Sequence, residues 1–227
     1  MKKKPTQVSV LFLFFATLFT VCLIVSNLFA VKPFSVGPVS FTGAIILFPV
    51  SYIVNDIVSE VWGFRRAKTL IWMAFALNFF VVLMGFIVDA LPGAPWWSAT
   101  SSEGFHSVFG LAPRVAVASF LAFLVGSFVN AAVMSKMKVR SQGRYFSLRA
   151  VVSTLLGESS DSLIFFPIAL AGTVIPWSQM PKFVLWQVGL KTTYELLVLP
   201  ITVRIVRRVK EHEQTDIYDR DIKYKIF

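Results

Sequence analysis

Six apolar runs, each long enough to cross a bilayer, limit this chain more than any other feature. They fall at about 9–31, 41–62, 68–91, 111–134, 150–172 and 183–206, against the roughly 17–25 residues that a spanning helix needs. With 56% hydrophobic residues and only 15% charged ones, the 227 residues do not fit a soluble domain. The expected fold is an all-α integral membrane protein: a bundle of six transmembrane helices. The same patterning divides the chain into a short N-terminal segment (1–8), the membrane domain (9–208) and a charged tail (209–227). The first run is longer than a signal-peptide core and lacks its cleavage signature, so a retained helix is expected.

The net charge of +10 is an orientation signal. Alternate gaps between runs, together with the two ends, carry 18 Lys and Arg, from Lys2–Lys4 through Arg65, Arg66 and Arg149 to Lys225. The other gaps carry only Lys32 and Lys182. This asymmetry predicts that both termini are cytoplasmic and that residues 91–113 are external. The basic excess faces the headgroups of the bilayer, so nucleic acid is not expected as a partner. The external segment, with Pro, Gly and paired Trp96–Trp97, predicts an interfacial loop or half-helix, with His106 simply solvated. The lone Cys22 excludes disulfides and cysteine-based metal sites and is expected to be a small buried side chain.

Ionisable residues inside the runs need an explanation, since each costs roughly 2.5–3.5 kcal/mol to insert. They are Asp56, Glu60, Glu158, Asp161 and Glu195 against Arg114 and Lys191, a formal charge of −3. Their spacing is helical. Tyr52, Asp56 and Glu60 fall at i, i+4 and i+8 in "FPVSYIVNDIVSEVWG". Glu158, Asp161, Ser162 and Phe165 fall at i, i+3, i+4 and i+7 in "LLGESSDSLIFF". Lys191, Tyr194 and Glu195 fall at i, i+3 and i+4 in "KTTYELLVLP". Three helices thus carry one polar stripe each, and in a bundle the stripes meet. Glu158 and Asp161 lie about 12–16 Å along their helix, near mid-bilayer, the depth at which secondary transporters hold their substrates. Gly157 is expected to allow a close backbone approach or an unwound turn there. An ion-pair network of Lys191 with Glu195 or Asp161, serving helix register alone, is the competing reading. One or two cations cannot neutralise so many carboxylates, which favours an aqueous, ligand-binding cavity. Both histidines lie outside the runs, and phosphate-cradling loops and nucleophile elbows are absent from the sequence, so no enzyme and no cofactor are expected.

The segments "FPVSYIVNDIVSEVWGFRRAKTLIW", "PRVAVASFLAFLVGSFVN", "STLLGESSDSLIFF" and "KTTYELLVLPIT" resemble the queuosine precursor transporter family, once grouped as a vitamin-uptake-type family. The resemblance implies an inner-membrane, multi-pass importer of 7-cyano- or 7-aminomethyl-7-deazaguanine, with homodimerisation left open. A guanine-like edge presents an N1–H and a 2-amino group to a carboxylate. Glu158 is assigned that role, with Asp56 or Glu195 as a second acidic contact. Asp161 is assigned to pairing with Lys191. Donors to the 6-oxo group are Lys191, Asn27 or Asn130, and the aromatic walls are Phe48, Tyr52, Phe165 and Tyr194. The alternative is a substrate-binding subunit of an ATP-driven vitamin importer. The first helix, "LFLFFATLFTVCLIVSN", lacks the small residues spaced by four that commonly dock such subunits.

Overall fold

The computed structural model describes residues 8–30, 32–36, 39–110, 113–169, 171–172, 176–220, 222 and 224. Lys2–Lys4, Lys223 and Lys225 of the charge count lie outside them, as does the side chain of Arg114. Helix α1 spans Val10–Phe29, opened by Ser9, whose hydroxyl accepts from the Phe12 amide at 3.1 Å. A small antiparallel hairpin follows, β1 (Pro33–Val36) pairing with β2 (Val39–Thr42). Then come α2 (Phe48–Asp89), α3 (Ala99–Phe109), α4 (Pro113–Arg140), α5 (Phe146–Ala169) and α6 (Met180–Glu213).

Helix α2 is two helices folded at one residue. Gly63 has φ 80° and ψ 171°, a conformation essentially closed to residues with a Cβ. In a straight helix Phe48 and Asn78 would lie about 45 Å apart, yet both line the same cavity. The chain therefore doubles back at Gly63, and the expected runs 41–62 and 68–91 meet there without a loop. Among the described residues six long helical segments result: α1, the two arms of α2, α4, α5 and α6. By length and composition, Val10–Phe29, Gly43–Asp89 and Val115–Arg140 are apolar enough to cross a membrane. Helices α5 and α6 have the length but bury charges, Arg149, Glu158 and Asp161 on α5 and Lys191 and Glu195 on α6.

The fold at Gly63 strands a carbonyl on one arm and an amide on the other, and the tail satisfies both. The Ile217 amide donates to the Val61 carbonyl at 3.2 Å, and the Phe64 amide donates to Asp219 Oδ2 at 2.7 Å. Asp219 is thus a helix N-cap delivered from the far end of the chain. The charged tail is thereby docked on the bundle through Ile217 and Asp219.

Polarity is inverted relative to a soluble core. Phe14, Phe80, Leu163, Leu185 and Leu197 point outward, while Asp56, Asn130, Glu158 and Lys191 are buried, as a lipid solvent requires. Trp62 anchors the apolar core, meeting Phe12 edge-on at 5.4 Å between centroids. Helices α4 and α5 cross at Gly126 and Gly157. A methyl group on Gly157 would sit 2.9 Å from the Gly126 carbonyl and 2.8 Å from Asn130 Cβ, so only glycine permits this approach. Helix α5 stays continuous here, so the close approach holds and the unwound turn does not. In the 91–113 segment, α3 supplies the expected half-helix. His106 is not simply solvated: its Nδ1 lies 2.6 Å from Asp89 Oδ2.

Candidate functional site

The three polar stripes converge, as their spacing predicts, because each helix turns its charged face away from lipid. They form two layers rather than one site. In the deeper layer, Asp56 Oδ1 accepts from Asn130 Nδ2 at 2.9 Å and from the Ser153 hydroxyl at 3.2 Å. Asn55 Nδ2 donates to Asn130 Oδ1 at 2.7 Å, and the Glu195 carboxyl is adjacent to Asp56 and Thr154. Asn130 of α4 and Ser153 of α5 thereby donate to one oxygen of a carboxylate that no cation touches among the described residues, and its other oxygen, Oδ2, is buried without a donor.

The second layer centres on Lys191. Its ammonium lies 2.7 Å from Glu158 Oε2 and 3.3 Å from Asp161 Oδ2, and 4.5 Å from the centroid of the Phe48 ring. Lys191 therefore pairs across to α5, not with Glu195 one turn along its own helix. The shorter contact, to a fully buried carboxylate, belongs to Glu158.

Beside this layer is a cavity of about 300 Å³. Asp161, Lys191, Asn27, Phe48 and Phe165 line it, so five of the eleven expected binding residues share one wall. The other six lie off that wall. Glu158 sits behind Lys191, Tyr52 is wedged at the α4–α5 crossing, Tyr194 packs on the apolar core, and Asp56, Asn130 and Glu195 form the deeper layer. Asp161 pairs with Lys191 as expected and also lines the cavity, whereas Glu158, expected at the ligand, is absent from the lining and lies closer to the ammonium.

Several cavity residues were not anticipated. Asn78 lines the wall and accepts from Asn27 Nδ2 at 2.9 Å. A single Asn in "FALNFFVV" was a legible signal, since an uncharged polar group in an apolar run also needs a partner. Gln187 and Phe183 lie at i−4 and i−8 from Lys191 and continue its stripe to the cavity. Phe123 and Phe166 complete an aromatic lining that apolar runs rich in Phe do not single out. The combination suits a small planar ligand: stacking faces, one carboxylate, one ammonium and three carboxamides.

At the opposite end of the bundle, Glu60 lies among three cations. Arg149 donates to both of its carboxylate oxygens, Lys210 donates to Oε1 at 2.6 Å, and Lys138 donates to its main-chain carbonyl. Glu60 thus belongs to an end cluster and not to the cavity. Lys138 and Lys210 also reach Asp216 of the tail, at 2.5 and 2.9 Å. Burial pushes the Asp216 carboxyl up, but these two ammonium groups outweigh it and hold it below the usual carboxylate range.

Residues 42–205, well over half of the chain, match the family described as "Putative vitamin uptake transporter". The chain is similar to the "Queuosine precursor transporter" of Escherichia coli (strain K12), 28% identical over 158 residues, 69% of this chain and 68% of that protein. It is 27% identical over 156 residues to the "Probable queuosine precursor transporter" of Bacillus subtilis (strain 168), covering 67% and 65%. A protein of the same description from Haemophilus influenzae is 24% identical over 147 residues, covering 61% and 58%. The match spans less than two thirds of the length of the latter two. No solved structure matches.

Proposed function

The chain belongs to the vitamin uptake transporter family, and from that premise we propose that it imports 7-deazaguanine precursors of queuosine across the bacterial inner membrane. The names of its relatives support the substrate class. The single observation that carries the reading in this chain is the cavity wall, where Asp161 and Lys191 stand beside Phe48 and Phe165. Asp161 accepts from the N1–H and 2-amino group of the guanine-like edge in charge-assisted bonds. The same carboxylate contacts the Lys191 ammonium, which Glu158 contacts from behind. Asn78, Asn27 and Gln187 supply amide donors for the 6-oxo group, and the phenyl rings cover the faces of the ring. A cavity of about 300 Å³ lies at the small end of ligand pockets, roughly 300–1,000 Å³, which favours a nucleobase over a nucleoside. Both termini lie in the cytoplasm, on the 18-to-2 distribution of Lys and Arg.

The test is uptake of labelled 7-cyano- and 7-aminomethyl-7-deazaguanine into cells that cannot make them, with and without a protonophore. Uptake dependent on this chain, competed by 7-deazaguanines and not by adenine, is expected. Adenine leaves Asp161 facing an acceptor instead of two donors, a mismatch that can reach factors of about 10⁴. Equal competition by adenine excludes recognition by the carboxylate.

A further inference from the structure

A series of buried polar groups runs along α5 from the cavity to the other end of the bundle. Asp161 borders the cavity, and Glu158 stands behind it with Lys191. Ser153 donates to Asp56 about two turns from Asp161, and Arg149 meets Glu60 at the end. Asp161 and Arg149 are about 18 Å apart along the helix. The column is closed where it reaches Glu60. There α2, α4, α5 and α6 each send one charged side chain into a single knot, and Glu60, Arg149 and Lys138 are at most 1% exposed.

The knot includes the tail. Lys138 donates to Asp216 and to the Ile217 carbonyl at 2.7 Å, and its ammonium lies 4.7 Å from the centroid of the Tyr218 ring. Ile217 and Asp219 hold the two ends of the broken helix at Gly63. The inner members of the knot are dry, whereas the Asp216 and Lys210 side chains keep 40% and 24% of their exposure. Releasing the tail would admit water to Glu60 and Arg149, and hydration then offsets the separation of charges that is prohibitive while they are dry.

We propose that this knot is the inner gate of the transport cycle and that tail residues 214–219 are its latch. The proposal rests on the transporter reading above, because a solute leaving the cavity along the polar column must pass Glu60.

Accessibility measures the gate without any substrate. In a Cys22→Ala background, Thr154→Cys places a thiol inside the column, and a charged, membrane-impermeant thiosulfonate is applied to each face of vesicles holding the full chain. Asp216→Ala and Asp219→Ala should each raise the labelling rate from the Lys/Arg-rich face by about tenfold or more, as a shift of the gate equilibrium requires. The rate from the opposite face should not rise. Asp216→Glu, which keeps the carboxylate, should restore the slow rate. Unchanged rates in both alanine variants overturn the proposal. So does a rise from both faces, or a fast rate in Asp216→Glu, since either reports general loosening. Failure of deazaguanine uptake with this response intact removes the substrate reading and leaves the gate. Normal uptake without the response removes the gate alone.

Discussion

The Glu60 knot and the Lys191 layer are built from the same residue types, with opposite stoichiometry. Around Glu60, three cations from three helices converge on one buried carboxylate, and the tail's Asp216 joins them. Around Lys191, one ammonium serves two carboxylates, and a third and a fourth, Asp56 and Glu195, lie in the layer beneath. The first arrangement uses up its charges on itself. The second leaves Asp161 on the wall of a cavity with its weaker pairing and its capacity to accept from something else. On the reading proposed above, one set of charges is a lock and the other a reading head, and the ratio of cations to carboxylates is what tells them apart.

The sharpest way to break this comparison is Glu60→Gln. A lock should lose about 3–5 kcal/mol when one partner is removed and the remaining buried charges are left uncompensated. The melting temperature of the purified protein should fall steeply. Melting close to that of the parent would show that the knot carries no more stability than the cavity layer.

Next in size, Asp161→Asn should weaken binding of a 7-deazaguanine by about 1.5–3 kcal/mol, the range for hydrogen bonds to charged groups, with little change in melting. Glu158→Gln should do the reverse, lowering stability more than affinity, because Lys191 loses its closer partner. Affinity and melting temperature measured on both variants decide the matter. If Glu158→Gln loses binding at unchanged stability, the two carboxylates have exchanged roles.

A smaller effect is expected at the hinge of α2. Gly63→Ala forces a Cβ into a positive-φ, extended-ψ conformation that is essentially closed to other residues, costing about 1–3 kcal/mol, and 2.9 Å from a methyl of Ile217. Limited proteolysis should cut the tail of this variant faster than that of the parent. Equal protection would show that the tail is held without the break in the helix.

The smallest effect concerns pH. Asp216 has its folded-state value depressed by Lys138 and Lys210 against the opposing effect of burial. Its contribution to tail docking is therefore complete above the value of an unfolded carboxylate, near pH 4. It is lost as pH falls through the lower folded value. Protection of the tail from an acid-active protease should decline across that window, and Asp216→Asn should remove the dependence. A decline that persists in the variant assigns it to another carboxylate.

Much of this architecture was legible in the chain because it depends on local spacing. Apolar runs of spanning length fix the helices, and the 3.6-residue period fixes which side chains share a stripe, so Asp56, Glu158, Asp161, Lys191 and Glu195 were certain to face inward together. Asn27, Phe48 and Phe165 also line the cavity. Spacing says nothing of partners on other helices. Lys191 could bond to Glu195 at i+4, and only the placement of α5, set by the Gly126–Gly157 contact, turns it toward Glu158 and Asp161. The fold-back at Gly63 was hidden for a similar reason. A helix break needs its stranded carbonyl and amide satisfied, and here the partners are Ile217 and Asp219, some 150 residues away. Local sequence determined which residues leave the lipid. Tertiary packing decided which of them meet, because pairing in a low-dielectric interior is settled by distances of a few ångströms that only the assembled bundle sets.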